Sequence, residues 1–315
     1  MTDTIYKCSI ESDGIELNFD SDIDLFPMFE SSGFTCFVPD MNVSRGTAPT
    51  PFSVKYRNSA ETTIKFHRHA VDVRFPWDQM REGETILYLG YPFVELQWQQ
   101  QFSLTTHAAC VELDGVALLL LGKEGAGKTT LALQLCRQYG ASLIANDLTV
   151  IGKRKNRLTA LGGTKFFFLR YESIRRNLPE LLPLFTEPNK DPWLRKAKVP
   201  PEILGITTLG APMPVHRAYM VHVDETQREI FTDSADNLVT KLYLNENFSR
   251  YIRSTCTVML GGKNYDFMGY IPSLDAETYY EMRTELIQQV MRQAEIQYIS
   301  GPLDLVSEHI AQNST

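Results

Sequence analysis

One stretch restricts the fold more than any other: Gly122-Lys123-Glu124-Gly125-Ala126-Gly127-Lys128-Thr129 fits the pattern G-x-x-x-x-G-K-[ST] at every fixed position. The spacing has a physical reason. Glycines at 122, 125 and 127 let the backbone curl until successive N–H groups point inward at phosphate oxygens. A helix starting at the end of the loop then presents its positive N-terminus to the same charge. Lys128 adds a cation at the β/γ bridge, the Thr129 hydroxyl is placed to ligate Mg²⁺, and Thr130 follows as a further nucleotide-side candidate. The flanks match this picture. Val116–Leu121 reads as an apolar strand running into the loop, and Lys128–Tyr139 as a helix running out of it, with Gly140 where a C-terminal cap belongs. ATP and Mg²⁺ are the expected cofactors.

The residues before and after the loop carry further chemistry. Thr106–Leu113 and Val116–Leu121 are two apolar strands joined by Asp114-Gly115, a strong two-residue hairpin signal. Such a turn pairs Leu113 with Val116, and counting back sets Cys110 opposite Leu119 and His107 opposite Gly122. A slip of one residue changes the facing of the side chains but leaves His107 beside the mouth of the loop. A histidine there is suited to orient a base, bind a phosphate oxygen or cap a strand end. Asp147 follows the strand Ser142–Ala145, where strand ends converge on a ligand in an α/β sheet. Its carboxylate can hold Mg²⁺ or accept the proton of an attacking hydroxyl, or it is an ordinary turn aspartate. Asn146 is able to position a ligand but not to act as a base.

The rest of the chain sets the organisation. Residues 1 to about 100 read mostly as short strands. Ile5–Ile10 and Ile15–Phe19 flank a turn over Glu11-Ser12-Asp13-Gly14, and Pro51–Arg57, Thr62–His67 and Val71–Phe75 alternate apolar and polar residues. The character changes near residue 103. This divides the chain into a β-rich N-terminal domain, residues 1–102, suited to acceptor recognition, and a nucleotide-binding domain, residues 103–315. Residues 185–202, with four prolines, read as a long loop. Within it, Lys190–Lys198 either closes over phosphates or grips an acidic peptide through its bases and Trp193, or is a surface loop. His67 and His69 share a strand face but lack a nearby acidic or cysteine partner for a metal.

Composition removes other classes. With 43% hydrophobic and 22% charged residues in 315, the chain reads as a globular protein with a sizeable core. The net charge of −7 argues against a nucleic-acid binder, which needs a clustered positive face. The longest strongly apolar run, Val116–Leu121, is too short to span a bilayer, so no membrane is expected. Five widely spaced cysteines without a CxxC pair fit reduced thiols and a cytoplasmic setting.

Thr106–Gly115, the glycine-rich loop and Ala145-Asn146-Asp147 together resemble the bacterial HPr serine kinase/phosphatase family, whose fold is similar to the nucleotide core of phosphoenolpyruvate carboxykinase. The resemblance covers residues 103–151 well and the remaining C-terminal part loosely. It implies an α/β fold with a mixed sheet and a homo-oligomer, with the loop binding ATP, Thr129 ligating metal and His107 matching the family's active-site histidine. Asn146-Asp147 falls where the family carries paired aspartates, the first in acid/base chemistry and the second at the metal. Here the first is Asn, which bears on the base and on any reverse phosphatase activity. A further segment matches in two ways: through Glu202 in Pro201–Ile206, where Leu204 replaces an arginine, or through Gly162-Gly163 with Arg170-Tyr171-Glu172. Arg170, Glu172 and Glu202 are therefore secondary candidates.

Three functions compete at this point. The first is a kinase passing the γ-phosphate to a hydroxyl, either serine of a protein or peptide or that of a small metabolite. The second is a small-metabolite kinase of the shikimate-kinase type, which the antiparallel hairpin and the hundred residues before the loop speak against. The third is a non-catalytic ATP-binding regulatory or assembly module.

Overall fold

The computed structural model describes residues 4–30, 41–79, 84–185, 195–235, 238–254, 258–261 and 266–314. The chain forms two compact units: Met1–Thr105 with Asn245–Thr284, and Thr106–Leu244 with Glu285–Thr315. The first unit thus takes in a stretch that the sequence reading kept with the nucleotide-binding half.

In the first unit a six-stranded sheet runs in the order Asn42–Arg45, Tyr6–Ser12, Ile15–Ser21, Ser53–Asn58, Ala70–Phe75, Thr63–Phe66. The expected hairpin pairs Ser12 with Ile15, and Asp13 and Gly14 both take positive φ, as its two-residue turn demands. A 17-residue helix, Glu84–Gln100, packs on this sheet, in a region that the sequence pattern reads mostly as short strands. Gly90 and Pro92, residue types that disfavour a helix interior, both lie inside this one. A Cβ on Gly90 would stand 2.5 Å from Leu17 Cδ2 and 3.3 Å from Val54 Cγ2. Its absence lets the helix approach the sheet that closely.

The second unit is built on a mixed sheet ordered Ser142–Ala145, Ala109–Leu113, Val116–Leu121, Met213–Val223, Arg157–Gly163, Leu148–Arg154. Ser103–His107 ends the order and leads the chain from the first unit into the second. Met213–Val223 runs parallel to Val116–Leu121 and to Glu295–Gly301, while the other pairs within this order that involve the hairpin strands are antiparallel. This is the mixed α/β class expected from the sequence. The helix Lys128–Gln138 buries Leu131, Leu133 and Leu135 in the same core as Leu118 and Leu120 of the sheet and Val306 and Ile310 of the last helix, Leu303–Gln312. Sequestering such side chains contributes roughly 1.5–3 kcal/mol each, which fixes the strand-to-helix junction where the loop sits.

The hairpin register follows the reading, with Leu113 opposite Val116 and Cys110 opposite Leu119. It ends, however, at Ala109 opposite Leu120. The single strand expected over Thr106–Leu113 is two strands, Ser103–His107 and Ala109–Leu113, broken at Ala108. Ala108 N–H donates to Thr106 O at 3.0 Å, and Ala108 O accepts from the buried Thr149 hydroxyl at 2.8 Å. His107 therefore does not continue the ladder to Gly122.

The long loop expected over 185–202 is structured in part. Lys196–Val199 forms a strand paired antiparallel with Phe167–Arg170, and Pro201–Leu204 is a 3-10 turn. Residues 186–194, including Trp193, lie outside the described residues. Among the described residues, no helix is long and apolar enough to cross a membrane. Cys8, Cys110 and Cys136 are buried free thiols, and burial pushes each up to about 12, so they are chemically quiet.

Candidate nucleotide site

The glycine-rich loop leaves the central strand at Leu121 and enters the helix at Lys128. Gly122, Gly125 and Gly127 all take positive φ, of 150°, 80° and 90°. Gly127 has no alternative: a Cβ there would lie 2.6 Å from Val223 Cβ as well as in the left-handed region. The loop is pinned from two directions. Val223 N–H donates to Ala126 O at 2.9 Å, and Ala126 N–H to Lys123 O at 3.1 Å. Gly127, having no side chain, supplies no side-chain cap to the helix that starts at Lys128, and a helix N-terminus carries a partial positive charge suited to an anion. Lys128 is buried, and its ammonium donates to Gly122 O at 2.8 Å and Lys123 O at 3.1 Å. The loop's own carbonyls thus hold the cation in place, and phosphate oxygens are the stronger acceptors that would displace them.

Tyr243, on the helix Leu238–Ser249, escaped the sequence reading. Its hydroxyl accepts from Gly122 N–H at 2.8 Å and lies 2.9 Å from Gly122 O, to which it donates. It anchors the entry of the loop. No local motif marks a tyrosine 121 residues downstream for that task.

His107 and Asp147 meet across the site, with Nε2 3.0 Å from Oδ1. Asp147 follows the strand Ser142–Ala145 and takes φ 74°, an uncommon conformation for a residue other than glycine. His107 is 15% exposed and Asp147 44%, so the carboxylate is the member a ligand can reach. Enclosure by the surrounding chain opposes charging of Asp147. The hydrogen bond from His107 and the charges of His107, Lys128 and Lys196 outweigh it, and the carboxyl lies below its ordinary value. An ionised carboxylate only accepts, so the His107 proton sits on Nε2.

The remaining candidates separate clearly. Asn146 is fully buried: its Nδ2 donates to Phe166 O at 2.8 Å, its N–H to Thr164 O at 2.7 Å, and its carbonyl accepts from the Thr164 hydroxyl. Its side chain braces the turn rather than reaching out. Among the described residues its Oδ1, though buried, meets no hydrogen-bond partner. Thr129 is half-buried on the first helical turn, while the Thr130 hydroxyl is engaged with Ser173 Oγ at 2.9 Å. Arg170 reaches the loop, 2.9 Å from Glu124 Oε1. Glu172 instead pairs with Arg175 at 2.8 Å on its own short helix. Glu202 is exposed on its 3-10 turn, with no described contact to the loop.

The donor set suits a hard cation: a threonine hydroxyl and a carboxylate held ionised. Among the described residues, no three His, Cys, Asp or Glu side chains gather as a metal cluster. Thr129 and Asp147 would supply two oxygen donors to such a cation.

What fold and site define together is a mixed α/β protein with a glycine-rich loop between a buried strand and a helix. No protein-family model matches the chain, and no curated protein matches it. Among solved structures it is similar to the Hpr(Ser) kinase/phosphatase from Coxiella burnetii. The two share 15% identity and a TM-score of 0.26, over 41% of this chain and 77% of that one.

Proposed function

We propose that the chain is a Mg²⁺-dependent phosphotransferase that moves the terminal phosphoryl group of ATP to a hydroxyl. The observation that carries this reading is the His107–Asp147 contact at 3.0 Å, with the Lys128 charge acting on the same carboxylate. A loop that only held a nucleotide would have no need of an oriented His–Asp pair beside it. Bound Mg²⁺, with the Thr129 hydroxyl and Asp147 as its protein donors, would offset charge on the β- and γ-phosphates.

The chain's own residues do the rest. Loop N–H groups and Lys128 hold the triphosphate. The acceptor oxygen attacks the γ-phosphorus, the bond from that phosphorus to the β-bridging oxygen breaks, and ADP leaves. Because the transition state is loose, the hydroxyl proton departs late and needs no strong base. Asp147, kept below its ordinary value, is a weak base and a good anionic ligand. Its part is to orient the hydroxyl and take up a proton that is already acidic, passing it to solvent, while His107 fixes its position.

The test is phosphate transfer by the purified full chain with Mg²⁺ and ATP, across serine peptides and free hydroxylated metabolites. Transfer to one acceptor, reduced roughly 10²-fold or more by Lys128→Ala, is expected. ATP binding without transfer to any acceptor would sink the kinase reading in favour of a regulatory module, which the neutral, buried Asn146 favours.

A further inference from the structure

A two-stranded ribbon beside the loop carries more positive charge than the nucleotide needs. In the pairing of Phe167–Arg170 with Lys196–Val199, Arg170 and Lys196 stand directly opposite each other. Opposite residues of an antiparallel pair project from the same face, with Cβ atoms about 4.5–5.5 Å apart. Arg170 uses that face to reach Glu124 at the loop, 2.9 Å away. Lys196 therefore rises from the loop-facing side of the ribbon, and its charge is among those acting on Asp147.

Three other cations on or next to the ribbon are already engaged. Arg170 is countered by Glu124, Arg195 lies 4.1 Å from the centre of the Tyr171 ring, and Lys198 4.5 Å from that of Phe166. Lys196 is exposed and makes no ion pair among the described residues. The triphosphate has Lys128, the loop amides and its own Mg²⁺. A neutral acceptor would strip water from Lys196 and return nothing, whereas an anionic one would pair with it.

We propose that the acceptor bears a carboxylate or phosphate group beside its hydroxyl, and that Lys196 receives that anionic group. This rests on the phosphotransferase reading and narrows its substrate class. Lys196 is here a specificity residue, not part of the nucleotide cradle.

Calorimetric titration of the full chain tests it. The first step measures the affinity for Mg²⁺ with a non-hydrolysable ATP analogue; no binding there would defeat the phosphotransferase reading itself, and this proposal with it. The analogue-saturated protein is then titrated with glycerol, glycerate and glycerol phosphate as matched probes. One or both anions should bind and glycerol should not, and the anion that binds identifies the group. Lys196→Ala should weaken the anion about tenfold, with Lys196→Arg restoring it and analogue affinity held within about twofold in both variants. Equal binding of glycerol and the anions, or no anion binding, overturns the proposal. So does a loss of analogue affinity in Lys196→Ala matching the loss for the anion, which would assign the lysine to the triphosphate.

Discussion

Tyr243 and Lys128 show how single groups hold the glycine-rich loop in shape. Both bond Gly122, the tyrosine through its N–H and carbonyl, the lysine through its carbonyl together with that of Lys123. The lysine bonds are exchangeable for phosphate, but the tyrosine bonds lie at the entry of the loop and are structural. Tyr243→Phe should leave Gly122 short of partners at a cost of about 1–3 kcal/mol. The expected result is weaker ATP affinity with the secondary structure intact by circular dichroism. Unchanged ATP affinity would show that the loop keeps its shape without the hydroxyl. Asp147 belongs to the same set of polar contacts. Its carboxyl is depressed in the fold, so its stabilising contacts are complete above the ordinary value of 3.8 and fade only as pH falls through the lower folded value.

The break at Ala108 is what delivers His107 to Asp147. A continuous strand would have carried His107 along the hairpin towards Gly122. Instead the chain leaves one ladder and joins another, and the Thr149 hydroxyl, bonded to Ala108 O at 2.8 Å, holds the corner. Thr149 lies two residues beyond Asp147, so one strand supplies both the corner's support and, just before its start, the carboxylate. Thr149→Val keeps the shape but removes the donor from a buried carbonyl, at about 1–3 kcal/mol. Phosphate transfer should fall more than ATP binding, because the loop lies on the other side of the hairpin turn from this corner in sequence. Equal loss of both, with a lowered Tm, would reduce Thr149 to a general stabilising role.

The first unit draws together distant parts of the chain through buried polar groups. Arg283, fully buried, donates to both Asp275 oxygens at 2.8 Å and to Gln99 Oε1 at 2.8 Å, and Asp275 also receives Arg253 at 2.7 Å. Gln99 in turn donates to Glu95 at 2.7 Å, and Thr105 N–H to the same carboxylate at 3.0 Å. This network ties Asn245–Thr284 to Met1–Thr105, since a buried guanidinium cannot be left unpaired. Burial pushes Glu95 up to about 7, against the pull of Gln99, Thr105 and Arg283. With the folded value raised, its contribution is complete below the ordinary 4.5 and is lost as pH rises through about 7. The Tm should therefore fall between pH 5 and pH 8, and Glu95→Gln should flatten that fall. An identical fall in the variant would place the pH dependence elsewhere.

Much of the site was legible in the amino-acid order because its causes are local. The loop's glycines, Lys128 and Thr129 act within eight consecutive residues, and the hairpin register follows from the two residues of its turn. The helix Lys128–Gln138 carries its own stop signal at Gly140. The helix Glu84–Gln100 did not announce itself, because Gly90 and Pro92 look like breaks until Leu17 and Val54 explain why a Cβ cannot fit. His107 and Asp147 were each visible, but their contact depended on a strand break held by Thr149. Tyr243, Arg170 and Lys196 reach the loop, or face it, only through pairings between segments far apart in the chain. Local conformational preference and spacing write the cradle; which remote side chains close around it is settled by packing, through the burial of apolar surface and the pairing of buried polar groups between segments far apart in the chain.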